Sequence, residues 1–240
     1  MSFQDISMVD LGRQYNSIKL EVDRSIQQVL DATNFIQGEP VRDFEKRLSD
    51  WMEVKHVITC ANGTDALQLA FMALGLKPGD EIIVPTFTYV ATAEVIALLG
   101  LKPILIDVHE NSFNLNIDSA QDFVTKKTKA IVPVHLYGQA ADMEQIIKFA
   151  EFHNLYVIED TAQAIGAEVK FTNGSIRKAG TIGHIGTTSF FPSKNLGCFG
   201  DGGALFTNDD NLAAQLRMIA NHGQRIKYYH DVVGVNSRLD

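Results

Sequence analysis

Short apolar runs alternate with longer amphipathic stretches along most of the chain. From Val54 onward HVITC precedes TDALQLAFMAL, EIIVP precedes TAEVIALLG, PILIDV precedes SAQDFVTK, and AIVPVHL precedes DMEQIIKFAEF, after which comes LYVIED. Continuous apolar runs of this length are what strands look like when helices cover both faces of their sheet. Their alternation with helical stretches is the rhythm of βαβ units. The pattern predicts an α/β fold with a mainly parallel central sheet and helices on both faces.

The flanking regions read differently. In LGRQYNSIKLEVDRSIQQVLDAT, Ile18, Val22, Ile26 and Leu30 recur at near-helical spacing, and EPVRDFEKRLSDWM opens a second helix with Pro40 in its first turn. Residues 1–53 are expected to pack as an N-terminal helical arm and residues 54–240 to form one large α/β domain. After Asp160, GAEVKFTNGS predicts a hairpin around Asn173-Gly174, GTTSFF and GALFTN two further strands, and DNLAAQLRMIANHG a helix ending at Gly223.

Composition narrows the function classes. A 240-residue chain that is 45% hydrophobic can bury a sizeable core. Its formal charge of -8 disfavours a nucleic-acid partner, which needs a basic surface to neutralise phosphates. No apolar run approaches the roughly 18 residues of a membrane span, and the N-terminus has no signal-like pattern, so no membrane partner and a cytoplasmic location are expected. Cys60 and Cys198 form no C-x-x-C pair; neither a disulfide framework nor a metal site is expected.

In open α/β sheets ligands bind beyond the carboxyl ends of the strands, so the residues just after each strand carry the functional information. Four such places stand out. In CANGTDAL, Gly63 and Thr64 begin a helix directly after a strand, where free N–H groups and a hydroxyl suit a phosphate; they are also ordinary capping residues. In VPTFTYVATAE, Phe87 and Tyr89 can offer a face to a flat ligand or simply pack. In LYVIEDTAQAIGA, strand alternation sends Glu159 and Asp160 to opposite faces and leaves one acid at the strand end, to hold a ring nitrogen protonated or to cap the next segment.

The fourth place is TSFFPSKNLGCFGDGGA, where Ser189 and Lys194 follow a strand beside glycines that permit tight turns. It is not a phosphate loop of the G-K-[ST] kind, because Ser193 precedes the lysine and Asn195 follows it. GTIGHIG is not a dinucleotide fingerprint either, since its glycines are wrongly spaced. An amine, an acid, phosphate donors and a stacking ring at one sheet edge match the needs of pyridoxal 5'-phosphate.

These segments, with DLGRQY, VHLYGQAADM and HGQRIKYYHDVVGVNSRLD, resemble the DegT/DnrJ/EryC1/StrS nucleotide-sugar aminotransferases across essentially the whole chain. The resemblance implies the large domain of a fold-type I pyridoxal-phosphate enzyme. It implies Lys194 as the lysine that forms an imine with the cofactor, Asp160 as partner of the pyridinium nitrogen, Tyr89 as the stacking ring and Gln163 on the other ring face or at the ring hydroxyl. Gly63, Thr64 and Ser189 would hold the phosphate. Asn236 would reach the phosphate in a neighbouring subunit, giving a homodimer with shared active sites.

Within the family the phrases are most similar to the branch that aminates C3 of UDP-2-acetamido-2-deoxy-3-oxo-glucuronate, with glutamate as amino donor, for surface polysaccharides such as O-antigen or capsule. Arg238 is then placed to meet the sugar carboxylate, a guanidinium fork matching it bidentately; its other reading is a surface ion pair. Asn195 and Thr161 stand where proline and alanine are common in that branch. A 4-aminotransferase acting on a UDP- or dTDP-4-keto sugar and a catalytically silent cofactor-binding or dimerisation module are the alternatives. The family's small C-terminal domain is expected to be absent from this chain.

Overall fold

The computed structural model describes residues 8–239. Two helices lead, α1 (Leu11–Ala32) and α2 (Glu39–Met52). β1 (His56–Cys60), α3 (Gly63–Ala73), β2 (Glu81–Pro85), α4 (Ala91–Leu98), β3 (Lys102–Ile106) and the single turn α5 (Ile117–Ala120) follow. Then come β4 (Thr128–Ile131), α6 (Met143–His153), β5 (Tyr156–Asp160), the hairpin β6 (Glu168–Lys170) and β7 (Ile176–Lys178), β8 (Ile185–Ser189), β9 (Gly203–Thr207), α7 (Asp210–Ala220) and a short hairpin of β10 (Gln224–Ile226) and β11 (Tyr229–His230).

Seven strands form the central sheet in the order β1-β9-β8-β5-β4-β2-β3. Pairing is parallel from β3 to β8, and only β9 runs against its neighbours. The mainly parallel sheet read from the apolar runs is therefore present. Strand alternation divides the core: Ile58, Ile82, Ile158 and Leu205 pack in one cluster with residues of α3, α4 and α7, while Ile83, Ile131 and Val157 pack in another with Met143 and Ile146 of α6. Successive residues point to opposite faces, so an uninterrupted apolar strand feeds two helical layers at once.

The N-terminal stripe departs from expectation. α1 is helical, its start capped by Asp10 accepting from Arg13 N at 2.9 Å, but no residue of it is buried, and Ile26 and Leu30 are each 51% exposed. Apolar spacing makes a helix amphipathic; burial of the stripe needs an opposing surface. α2 has one: Leu48 and Met52 pack against Val57, Phe190 and Phe206 beside β1. SAQDFVTK also falls short of a full helix. After α5 and one 3-10 turn at Gln121–Phe123 the backbone is already extended at Val124, leaving few residues before β4 begins.

The hairpin turn lies where Asn173-Gly174 predicts it, with Gly174 at φ +85. Cys60 is buried, Sγ to Asn62 O at 3.3 Å, and Cys198 is half-buried, Sγ to Phe190 O at 2.9 Å. Among the described residues no helix is long and apolar enough to cross a membrane, and no cluster of three or more His, Cys, Asp or Glu is arranged to hold a metal.

Candidate active site

Because β1, β2, β5 and β8 point the same way, the segments after them converge at one sheet edge around a cavity of about 610 Å³. Gly63, Thr64, Tyr89, Asp160, Gln163, Ser189 and Lys194 all line it. Seven residues spread over some 130 positions of sequence are thus brought together by strand direction alone.

At one end of the cavity α3 begins. Asn62 caps it, Oδ1 accepting from Asp65 N at 2.8 Å, and its carbonyl takes the N–H of Ala66. Among the described residues the N–H groups of Gly63 and Thr64 have no acceptor, as first-turn donors do unless a ligand or water supplies one. A Cβ at Gly63 would stand 2.6 Å from Ser189 Cβ, so only glycine lets Ser189 lie against the helix start. Ser189 Oγ accepts from Phe191 N at 3.2 Å, which leaves its O–H to donate. Two backbone donors and two hydroxyls form a cup suited to a phosphate.

The two acids of β5 part as strand alternation requires. Asp160 faces the cavity, only 7% exposed, with Oδ2 accepting from Thr92 Oγ1 at 3.0 Å and Oδ1 from Ala162 N at 3.1 Å. Burial pushes its carboxyl above the usual carboxylate range, against the pull of those donors and of the positive charge of Lys194. A buried acid without an ion-pair partner among the described residues suits a cationic ring N–H, which would offset the cost of desolvation.

Glu159 points the other way and is fully buried. Its Oε1 accepts from Ile182 N and Gly183 N at 2.7 and 2.6 Å, and its Oε2 from Gly180 N at 2.8 Å and His135 Nε2 at 3.1 Å. His135 Nδ1 accepts from Ala141 N at 2.9 Å, so its Nε2 carries the proton given to Glu159. Burial raises the Glu159 carboxyl, but the His135 and backbone donors outweigh it and leave it below its ordinary range. GTIGHIG is therefore a cradle for this carboxylate: a Cβ at Gly186 would fall 1.9 Å from Gly180 O.

Replacing Glu159 by Gln puts an N–H₂ against donors and is expected to cost about 3 kcal/mol of stability, the upper end of the range for hydrogen bonds to a charged group. The melting temperature should fall by roughly 6–12 °C for a domain of this size. A scan showing no change would remove the carboxylate from the list of structural anchors. Since a depressed carboxyl contributes stability above its unfolded value of 4.5, the wild type should lose this contribution only as pH drops through the lower folded value.

Lys194 sits half-buried on the segment after β8, its backbone N–H bonded to Phe191 O at 2.8 Å. Tyr89 is 71% exposed at the cavity rim. Gln163 Oε1 accepts from Tyr137 N at 2.8 Å, which directs its free N–H₂ end as a donor. Asn236 and Arg238 do not line the cavity of their own chain. Asn236 is exposed and bridges Asn221, and Arg238 Nη2 donates to Asn221 Oδ1 at 3.2 Å. Asn62 caps α3 as the CANGT pattern allows, whereas Thr92, His135 and the cradle of Glu159 carry no signal in the sequence.

The donors fit pyridoxal phosphate: a phosphate cup, a buried acid and an amine face one cavity of suitable size. Comparison with known proteins agrees. The family described as DegT/DnrJ/EryC1/StrS aminotransferase matches residues 16–240. UDP-2-acetamido-2-deoxy-3-oxo-D-glucuronate aminotransferase from Pseudomonas aeruginosa is 50% identical over 235 residues, covering 98% of this chain and 64% of the relative. UDP-N-acetyl-3-dehydro-alpha-D-glucosamine 3-aminotransferase from Acidithiobacillus ferrooxidans is 47% identical over 98% of this chain and 62% of its own. The solved structure of NtdA from Bacillus subtilis with bound cofactor PMP has a TM-score of 0.91 and 32% identity, covering 100% of this chain and 54% of that one. The chain thus spans less than two thirds of the length of these proteins.

Proposed function

The chain belongs to the DegT/DnrJ/EryC1/StrS aminotransferase family, and from that premise we propose that it carries the cofactor half of a pyridoxal-phosphate aminotransferase acting on a keto nucleotide sugar. The amino group would pass from glutamate to C3 of a UDP-2-acetamido-2-deoxy-3-oxo-hexuronate. The observation that carries the reading is the juxtaposition of the buried Asp160 and Lys194 on one cavity that ends in the α3 cup.

When bound, pyridoxal phosphate supplies an aldehyde to take up the amino group and a ring to accept electrons from the reacting carbon. The chain's residues do the rest. Gly63 and Thr64 N–H, with the Thr64 and Ser189 hydroxyls, would bind the phosphate. Asp160 would hold a proton on the ring nitrogen, its charge stabilised by Thr92 and Ala162 N. Tyr89 and the Gln163 amide would bracket the ring. Lys194 would hold the cofactor at its aldehyde end and, as a free amine, would carry a proton to and from the donor's α-carbon.

The test is to mix the purified chain with pyridoxal phosphate and glutamate and follow bleaching of the visible band, then add candidate 3-keto and 4-keto UDP-sugars and follow its return. Cofactor binding without bleaching would favour a silent module; return with a 4-keto sugar alone would favour the 4-aminotransferase reading.

Arg238 bears on the sugar. It does not line its own chain's cavity; in a homodimer with shared sites it would meet the sugar from a second copy. Arg238→Ala is expected to weaken binding of a UDP-hexuronate by about 1.5–3 kcal/mol, the range for a hydrogen bond to a charged group, and to leave a neutral UDP-hexosamine nearly unaffected. Calorimetric titration of both ligands checks this; equal losses would make Arg238 structural and remove the support for a hexuronate.

A further inference from the structure

Ser237 is a polar residue with almost no access to solvent, 1% exposed, and its hydroxyl is used in both directions. It accepts from Ala61 N at 3.0 Å and donates to Asp65 Oδ2 at 2.6 Å. Ala61 and Asp65 bracket the start of α3, and Asp65 itself lines the cavity. Ser237 is carried there on a stitched strap: Ser237 N donates to Ala220 O at 3.0 Å, Val235 N to Ile219 O at 2.8 Å and His222 N to Val235 O at 2.8 Å. The end of α7 therefore delivers a hydroxyl, 172 residues away in sequence, to the first turn of α3.

We infer that Ser237 is a positioning residue for the phosphate end of the cavity, holding the Asp65 carboxylate in a fixed bond and pinning the Ala61 end of the turn that presents Gly63 and Thr64 N–H. The inference rests on the cofactor reading above. Asp65 is a negative charge in the very turn whose donors would face a phosphate. Left free it would repel that anion; bonded to a short, charge-assisted O–H donor it is held in one place. The same hydroxyl fixes the strand end from which the cup is built, so both effects act on the phosphate and neither on the ring.

A phosphate-selective measurement separates this role from plain stabilisation. The chain and its Ser237→Ala variant are titrated with pyridoxal phosphate and with pyridoxal, which lacks the phosphate. The variant should bind pyridoxal phosphate roughly 5–20-fold more weakly, with pyridoxal changed less than about twofold; this is below the roughly 10–150-fold of a hydrogen bond made to a charged ligand itself, because Ser237 acts through the turn. Equal weakening of both ligands, or of neither, overturns the inference. Adding Asp65→Asn to Ser237→Ala should restore most of the lost affinity, and failure to do so overturns the charge-holding role. If Ser237→Ala does not fold, Asp65→Asn alone decides: affinity for pyridoxal phosphate at or above the wild type supports the inference, and a selective loss overturns it. A wild-type chain that fails to prefer pyridoxal phosphate over pyridoxal would instead refute the cofactor reading, whatever Ser237 does.

Discussion

Lys194→Ala is expected to abolish the visible band of lysine-linked cofactor and to lower any transamination by at least about 10⁴-fold, the scale seen when a nucleophile that works as a unit with its neighbours is removed. The fold should survive. Lys194 is half-buried on a connecting segment, its backbone bond to Phe191 O is kept by alanine, and the β8 pairing does not involve its side chain. The cup, Asp160 and Tyr89 remain, so the variant should still take up pyridoxal phosphate reversibly, seen as a free-aldehyde spectrum that is lost on dialysis. An unchanged band in the variant would rule the assignment out.

Asp160→Asn is the second large effect. The amide is nearly isosteric: its oxygen can keep the Ala162 N–H and its N–H₂ can turn the Thr92 hydroxyl from donor to acceptor, so the buried site stays satisfied. What it cannot do is hold a ring nitrogen in its cationic form. Removing a preorganised charge of this kind costs about 10²–10³-fold in rate, so the variant should bind cofactor yet convert it with glutamate that much more slowly in single-turnover absorbance traces. A near-normal rate would mean that the raised carboxyl of Asp160 answers to burial alone and has no part in the chemistry.

Much of this site was legible because its parts are local. An apolar strand followed at once by Asn62-Gly63-Thr64 states where a helix starts and which donors it leaves open, and strand alternation at Glu159-Asp160 states that one acid must face away from the other. Family resemblance added roles to Lys194, Gln163 and Asn236 that spacing does not contain. The stripe of α1 shows the limit of periodicity: Ile18, Val22, Ile26 and Leu30 specify an amphipathic helix and say nothing about what covers it, and the described chain buries none of its residues.

By itself the order of apolar and amphipathic segments determined the α/β class, the parallel sheet and the edge at which the cavity lies, because hydrophobic period and strand direction are properties of short windows and of βαβ connection. Tertiary structure alone decided what the polar residues near that edge are for. GTIGHIG became the cradle of a buried carboxylate, Thr92 became the donor on Asp160, and Ser237 came under the first turn of α3 from the far end of the chain. A buried polar group must be satisfied by whatever donor or acceptor the fold brings within about 3 Å, and which residue that is depends on the packing of segments up to 176 positions apart.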